Sequence, residues 1–278
     1  MKTPLTLGFS PCPNDTFMFY PLVHGLVDTG GISYNERLED VETLNRLAVK
    51  GVLDVSKVSY AALGHIREQY ALLRAGSALG RGCGPLLVAR EDIQPADLCG
   101  RTIAIPGRYT TAHLLLRLYD PCLTIFLEMP FNEIMDAVLT GKVDAGVIIH
   151  ESRFTYQGFG LHQLLDLGEW WEMETDLPIP LGGIVARRSL GSETIGLIEH
   201  ALATAVEYAR DNPDVAANYI REHAQEMSAE VCAAHIGLYV NDFSKELGDE
   251  GERAIRELLR RAEAAGVIPQ AEVPLFVR

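Results

Sequence analysis

The chain has 278 residues, enough for about two domains of ordinary size or one large domain. Hydrophobic residues make up 47% and charged residues 22%, which is typical of a soluble globular protein that folds without a metal or disulfide staple. With 24 Lys and Arg against 38 Asp and Glu, the formal net charge is −14. This charge argues against a nucleic-acid or anionic-membrane surface and leaves open a small acidic ligand held by a few local cations.

The first third of the chain alternates strand and helix patterns. The strand patterns cover 5–9, 32–38, 53–58, 71–74 and 86–90. The helical patterns cover 14–24, 40–50 and 59–70. Asp40 is a suitable N-cap, and Gly25 and Gly51 stand where the first two helices are expected to end. A glycine-rich connection over 76–84 separates the last two strands.

After a polar segment at 91–95 the same alternation begins again. Strands are predicted over 101–105, 123–127, 145–149 and 182–186, and helices over 110–119 and 131–140. From residue 192 onward the pattern is mostly helical, with a break at Asn212-Pro213.

This alternation predicts an α/β fold that is rich in parallel strands. The restart near residue 91 predicts two lobes with a cleft between them. The expected boundaries are a larger discontinuous lobe, residues 1–90 plus 187–278, and a smaller lobe, residues 91–186. The C-terminal helices are expected to pack on the larger lobe.

The cysteines and the N-terminus bear on the compartment. The five cysteines are odd in number and scattered, without a CxxC pair: Cys12, Cys83, Cys99, Cys122 and Cys232. This pattern is neither a disulfide framework nor a zinc site and favours a reducing cytosol. The N-terminal segment lacks an apolar stretch of signal-peptide length, and no run is long enough to span a bilayer. A cytoplasmic location is therefore expected.

Ligands in open α/β sheets bind outside the carboxyl ends of strands, so the segments that follow strands are candidates for a site. Four of them carry hydroxyl, amide, cationic or imidazole side chains: 10–17, 56–60, 106–112 and 150–153. Three lead directly into a helix, whose free N–H groups attract anions. Ser59 and Thr111 would add a hydroxyl there. Alternatively, Ser59, Thr110 and Asn14 are ordinary N-caps, and the two interpretations are compatible.

His150 is the strongest single candidate for chemistry. It follows the apolar strand pattern of 145–149, so its imidazole can point into a cleft, and histidine exchanges protons near neutral pH. The alternative is a structural histidine that is hydrogen-bonded to Glu151. The other histidines, including His65, His113 and His235, fall mostly in helical segments and look structural or solvent-facing.

Other signals favour ordinary structural roles. The glycine-rich segment 80–84 matches neither a dinucleotide-binding nor a P-loop fingerprint, so a hinge or tight connection is expected. Cys12 lies between two prolines with no assigned base beside it, which favours a small buried thiol over a nucleophile. Trp170-Trp171 suits core packing at least as well as a pocket wall.

Five segments together resemble one family, the 1,4-dihydroxy-6-naphthoate synthases of the futalosine route to menaquinone. They are 10–17 (SPCPNDTF), 39–45 (EDVETLN), 57–60 (KVSY), 106–112 (PGRYTTA) and 148–156 (IIHESRFTY). The resemblance covers most of the chain and is weakest beyond about residue 190. It implies a type II periplasmic-binding-protein fold with two α/β lobes, a hinge of two crossing strands and a ligand cleft.

The resemblance also implies a reaction and a site. Family members convert cyclic dehypoxanthinylfutalosine to 1,4-dihydroxy-6-naphthoate and dihydroxyacetone, with no metal or organic cofactor. His150 matches the family's catalytic base, and Lys57-Val58-Ser59 and Thr111-Ala112 match its substrate-contacting segments. The substrate carboxylate is expected at the helix starts near Ser59 and Thr111, with Lys57 or Arg153 as the cation. Asn14 and Thr110 are expected beside it at the strand ends. The expected partner is thus a small anionic molecule, and the oligomeric state stays open.

Three other functions remain as alternatives. A solute-binding protein can share the fold, but it usually works outside the cytoplasm and needs a signal peptide. Chorismate dehydratase, a sister enzyme of the same route, lacks the 10–17 motif and an equivalent of the His150 segment. A ligand-sensing regulator needs a basic region or a spare helix-turn-helix, and the sequence shows neither.

Overall fold

Two β-sheets, each covered by helices, organise the computed structural model, which describes residues 3–224 and 228–277. The strands are β1 (Leu5–Phe9), β2 (Tyr34–Leu38), β3 (Val55–Ser59), β4 (Tyr70–Leu72), β5 (Ala78–Gly80), β6 (Leu86–Ala89), β7 (Ile103–Ile105), β8 (Phe126–Glu128), β9 (Ala145–Ile148), β10 (His162–Asp166) and β11 (Ile179–Arg187). The α-helices are α1 (Pro13–Val23), α2 (Val41–Val49), α3 (Tyr60–Ile66), α4 (Thr111–Tyr119), α5 (Ile134–Leu139), α6 (Ser152–Thr155), α7 (Leu167–Thr175), α8 (Ser192–Asp211), α9 (Ala217–His223), α10 (Ala229–Tyr239), α11 (Asp242–Lys245) and α12 (Gly248–Ala264).

The first sheet has the strand order β2-β1-β3-β11-β4, and β5 also pairs with β11. Strands β1, β2 and β3 are parallel, and β11 runs antiparallel to β3. All five residues of β3 are buried because the strand lies between β1 and β11. Its polar residues Ser56, Lys57 and Ser59 are therefore buried with it, which requires polar partners for each of them.

The second sheet has the order β10-β6-β9-β7-β8. Strands β7, β8 and β9 are parallel, whereas β6 is antiparallel to both β9 and β10. Every residue of β9, Ala-Gly-Val-Ile, is buried, as expected for a strand inside a sheet that is covered on both faces. The two sheets confirm the predicted pair of α/β lobes.

The chain crosses between the lobes twice, between β5 and β6 and again between β10 and β11. At the crossings Gly84 lies against Gly168, and a Cβ on Gly84 would come within 2.2 Å of the Gly168 nitrogen. The crossings differ from the predicted boundaries of 1–90, 91–186 and 187–278. Leu86–Ala89 pairs in the second sheet and Ile179–Arg187 pairs in the first. Long-range strand pairing sets these positions, and the polar segment at 91–95 lies inside the second lobe.

Several element bounds also differ from the predictions. The helix predicted over 59–70 ends at Ile66, because Tyr70–Leu72 pairs with β11 as strand β4. The Tyr70 hydroxyl donates a hydrogen bond to the Leu53 carbonyl at 2.6 Å, which holds this short strand in place. Strands β5 and β10 and helix α7 have no counterpart among the predicted elements.

The C-terminal helices cover the first sheet. Helix α8 packs on α1, and its apolar face is buried in the same cluster as Leu7 and Phe9 of β1. Helix α12 packs against α3 and β11 through Ile255 and Leu258. Both helices therefore belong to the larger lobe. No helix in the described part of the chain is both long and apolar enough to cross a lipid bilayer.

The odd number and scattered positions of the cysteines predicted no disulfide framework, but the structure contains a disulfide. Cys99 and Cys122 form a disulfide, with their Cα atoms 5.5 Å apart. Cys99 follows a short 3₁₀ helix (Pro95–Leu98), and Cys122 lies in the turn after α4. Because 23 residues separate the two cysteines, their linear spacing carries no sign of the pairing. Cys12, Cys83 and Cys232 form no disulfide.

Candidate active site

A cavity lies between the lobes, where the carboxyl ends of strands from both sheets converge. Eight of the nine candidate residues line it: Asn14, Lys57, Val58, Ser59, Thr110, Thr111, Ala112 and His150. The first four belong to the larger lobe and the last four to the smaller one. The predicted strand ends therefore meet in one place.

Lys57 is held by a buried ion pair. Its Nζ lies 2.7 Å from Asp15 Oδ1, and the two side chains are 7% and 2% exposed. The Ser10 amide and hydroxyl donate to the other Asp15 oxygen at 3.1 and 2.8 Å, and Asn14 Nδ2 donates to Oδ1 at 2.9 Å. The ammonium charge at the cavity wall is thus cancelled by a carboxylate beside it.

Asn14 and Ser59 do not act as N-caps. Helix α1 begins one residue before Asn14, with Cys12 in the cap position, and the Ser59 hydroxyl caps no amide of α3. Ser59 instead binds Asn45: its N–H donates to Asn45 Oδ1 at 2.8 Å, and its Oγ accepts from Asn45 Nδ2 at 3.1 Å. Asn45 Nδ2 also donates to the Tyr109 carbonyl of the smaller lobe at 3.3 Å. Asn45 thereby ties the end of β3 to the opposite wall.

The start of α4 is built from two threonines with different tasks. Thr110 is the N-cap, and its hydroxyl oxygen accepts from the His113 amide at 3.3 Å. The Thr111 hydroxyl donates to the Leu181 carbonyl of β11 at 2.6 Å and accepts from the Ala61 amide of α3 at 3.4 Å. The first-turn amides of Thr111 and Ala112 have no carbonyl within the helix to bind. Both residues line the cavity, and unpaired amides at a helix start generally attract anions.

A second link across the lobes involves Glu42 of α2. Its carboxylate accepts from the Tyr109 amide at 3.0 Å and pairs with Arg46, whose guanidinium also contacts Glu128 of the smaller lobe. Gly107, at φ +153°, lets the loop come this close, because a Cβ there would lie 2.4 Å from the Glu42 carboxylate. The structure therefore shows the lobes in contact around the cavity.

His150 is held in an uncommon backbone conformation. It follows β9 with φ +56°, the left-handed region that residues other than glycine rarely adopt. Its Nδ1 lies 3.6 Å from the Cys12 sulfur, and its ring packs edge-on against Phe131 at 5.0 Å. Burial lowers the pKa of His150, and the Glu151 carboxylate opposes this effect. The imidazole is therefore neutral near pH 7 and able to accept a proton.

Arg153 is not among the described residues that line the cavity. Its guanidinium binds the Gly84 carbonyl and pairs with Asp166 at 2.7 Å. The side chain thus ties the two segments that cross between the lobes. In this structure it fastens the hinge and presents no cation to a ligand.

The structure adds His235 of α10 to the cavity wall. The side chain is fully buried, yet no described residue makes a hydrogen bond to either ring nitrogen. Burial and the neighbouring His150 hold the pKa of His235 well below its usual value, so this imidazole is also neutral. The sequence placed His235 with the structural or solvent-facing histidines, because a helical pattern does not show which side chain faces a distant cleft.

Comparison with known proteins decides the family. Residues 5–264 match a family described as "Menaquinone biosynthesis". The chain belongs to this family. A 1,4-dihydroxy-6-naphthoate synthase of Thermus thermophilus is 51% identical over 273 residues, which cover 98% of this chain and 99% of that protein. A synthase of the same name from Streptomyces coelicolor is 50% identical over 270 residues, 95% of either chain.

Solved structures agree on the architecture. A crystal structure from Archaeoglobus fulgidus superposes with a TM-score of 0.90 at 38% identity, covering 95% of this chain and 98% of that one. An alkanesulfonate-binding protein of Xanthomonas axonopodis gives a TM-score of 0.69 at 14% identity, with 97% and 95% covered. A Candida albicans protein, described as having the generic periplasmic binding protein fold, gives 0.68 at 17%, with 98% and 92% covered. The menaquinone biosynthesis chain thus has the periplasmic-binding-protein fold that its sequence predicted.

Proposed function

We propose that this chain converts cyclic dehypoxanthinylfutalosine to 1,4-dihydroxy-6-naphthoate, with release of dihydroxyacetone. The convergence of the strand ends on one cavity, with a neutral imidazole at its wall, carries the proposal. The two relatives that bear the synthase name, at about half identity over nearly the whole chain, support it. The reaction is a carbon–carbon lyase reaction, and we assign it no metal or organic cofactor.

His150 acts as the general base. Its Nδ1 faces Cys12, so Nε2 is the nitrogen that takes a proton from the spiro-fused substrate. The electron pair left behind opens the ring and cleaves the carbon–carbon bond, and the naphthoate ring becomes aromatic. Aromatisation supplies much of the driving force, so the protein needs mainly to orient the substrate and to place one base.

The substrate carboxylate binds at the start of α4. The amides of Thr111 and Ala112 supply the donors, and the helix dipole favours the negative charge. Lys57 and Ser59 face them from the larger lobe. The interlobe hydrogen bonds of Asn45 and Thr111 keep the lobes together and shield the reacting centre from water.

The proposal extends to the setting of the enzyme. We place the chain in the cytoplasm, where a biosynthetic enzyme meets its substrate. Its partner is a small anionic molecule, and the net charge of −14 fits neither nucleic acid nor an anionic membrane.

The decisive experiment incubates purified protein with cyclic dehypoxanthinylfutalosine and, separately, with chorismate, and detects products by absorbance and mass. We expect naphthoate from the first substrate only. Product from chorismate alone would assign the dehydratase reaction. Binding without turnover of either compound would assign a solute-binding protein.

A pair of histidine variants tests the base. His150→Ala is expected to keep the wild-type circular dichroism and to lose turnover by about 10²–10⁴-fold, the usual contribution of a general base. His65→Ala is the matched control, because His65 is an exposed histidine outside the cavity. Near wild-type turnover in His150→Ala would remove His150 from the mechanism.

A further inference from the structure

Three potential metal ligands of different chemistry meet beside the main cavity. One atom each from Cys12, His150 and Glu151 lies within 4.8 Å of the other two, and we call these residues the Cys12–His150–Glu151 cluster. Glu151 is 8% exposed, and its Oε2 has no hydrogen-bond partner among the described residues. A buried carboxylate oxygen without a partner is costly, and it points to a ligand that the cluster can bind.

The distance between the Cys12 sulfur and the His150 nitrogen suits a tetrahedral zinc ion. Zinc bonds of about 2.3 Å to sulfur and about 2.0–2.1 Å to nitrogen set these two atoms about 3.6 Å apart at the tetrahedral angle. The Cys12 sulfur and His150 Nδ1 are 3.6 Å apart. Thiolate, imidazole and carboxylate are all ligands that zinc accepts, and three protein ligands leave a fourth position open.

The charges also balance. On binding, the Cys12 thiol loses its proton to solvent, and the thiolate and the Glu151 carboxylate together neutralise the dication. A neutral complex avoids placing net charge in these buried surroundings. A second, smaller cavity lies at the cluster, and Cys12, His150 and Glu151 line it together with Asp40 and Phe131.

We propose that the Cys12–His150–Glu151 cluster binds Zn²⁺ and that the bound ion reversibly inhibits the enzyme. His150 lines both cavities, so an ion on Nδ1 acts on the ring that faces the substrate. A neutral imidazole that ligates through Nδ1 carries its proton on Nε2. That nitrogen then has no lone pair with which to accept a substrate proton. Inhibition rests on the proposed function, whereas binding of the ion does not.

Binding is tested on the full chain after removal of metals by a chelator, with Co²⁺ as a spectroscopic probe. Co²⁺ is expected to give a thiolate-to-metal absorption band in the near ultraviolet, and Zn²⁺ is expected to displace it with one ion bound per chain. Cys12→Ser is expected to abolish the band and to weaken Zn²⁺ binding by about tenfold or more. Cys232→Ser, a change outside both cavities, is expected to keep both properties. A band that survives in Cys12→Ser overturns the site.

Glu151→Gln keeps the size of the side chain but removes its charge, and it serves as the second variant if Cys12→Ser does not fold. It is expected to keep the cobalt–thiolate band and to weaken Zn²⁺ binding by about tenfold or more. Unchanged Zn²⁺ affinity in this variant, with wild-type thermal stability, excludes the carboxylate as a ligand and overturns the three-residue site.

Inhibition is tested separately, as turnover of cyclic dehypoxanthinylfutalosine with and without stoichiometric Zn²⁺. Turnover is expected to fall at least about tenfold and to return when a chelator is added. Full turnover by the zinc-bound protein overturns the inhibition. If the metal-free protein makes no naphthoate but still shows the cobalt band, the proposed function fails while the metal site stands.

Discussion

The buried Lys57–Asp15 pair makes a quantitative prediction about stability. Lys57→Met keeps the length of the side chain but removes the ammonium that lies 2.7 Å from Asp15 Oδ1. Removing one partner of a buried ion pair leaves an uncompensated charge and costs about 3–5 kcal/mol. Asp15 retains three donors, from the Ser10 amide, the Ser10 hydroxyl and Asn14. We therefore expect a loss near the low end, about 3 kcal/mol in the free energy of unfolding.

The assay is urea unfolding followed by circular dichroism, with the free energies obtained by linear extrapolation. Lys245→Met is the matched control, since Lys245 Nζ also lies 2.7 Å from a carboxylate, that of Glu207, but in an exposed pair. Salt bridges at exposed positions contribute little, so this variant is expected to unfold close to wild type. The double variant Lys57→Met/Asp15→Asn removes the orphaned charge and is expected to regain at least about 1 kcal/mol over Lys57→Met.

Two results would contradict this reasoning. If Lys57→Met unfolds within about 1 kcal/mol of wild type, water or a neighbouring group solvates the carboxylate and the pair is not effectively buried. If the double variant is no more stable than the single one, the loss arises from packing of the lysine stem and not from the unpaired charge.

Three further predictions concern the cavity and its closure. His235→Leu is expected to lower kcat/KM for the substrate and to leave the calorimetric Kd of the naphthoate product unchanged. The neutral imidazole of His235 can donate and accept hydrogen bonds, so it suits the hydroxyls of the dihydroxyacetone fragment, which the product no longer carries. Equal weakening of kcat/KM and of product binding would contradict this. Burial raises the pKa of Glu42 from 4.5 to about 7, so between these pH values the folded state keeps a proton on this carboxyl group that the unfolded state has lost. The free energy of unfolding should therefore fall as pH rises between these values. Glu42→Gln has no carboxyl group to titrate, so its free energy of unfolding, measured by urea unfolding, should fall less over the same pH range. KM should change less than about threefold between low and high salt, because the only formal cation among the described lining residues, Lys57, is already paired.

Those local elements whose signals lie in nearby residues could be predicted. Asp40 caps α2 through the amides of Glu42 and Thr43, as its residue type predicts. The lobe boundaries could not be predicted in this way. Whether Leu86–Ala89 or Ile179–Arg187 joins one sheet or the other depends on partners dozens of residues away, and both segments look like ordinary strands. A polar segment such as 91–95 suggests a boundary, but here it is a loop within the smaller lobe.

The candidate site could likewise be predicted only where the signal lies in nearby residues. The strand-end rule located Ser59, Thr111 and His150, since the carboxyl ends of strands face the cleft in this architecture. It gave no sign of His235, which reaches the cavity from a helix in the last quarter of the chain. It also gave no sign that Cys12 contacts His150, because 138 residues separate the two.

The cations show why residue type alone misleads about anion binding. Lys57 and Arg153 are the two cations that the sequence offered for the substrate carboxylate, and each is paired in the structure, with Asp15 and with Asp166. The partners lie 42 and 13 residues away, so the pairing becomes visible only in the fold. With both charges cancelled and both cavity histidines neutral, our proposal assigns selection of an anion to the oriented backbone donors at the start of α4. Such donors are fixed by the helix and need no counter-charge, so under this proposal a chain of net charge −14 can still hold a carboxylate.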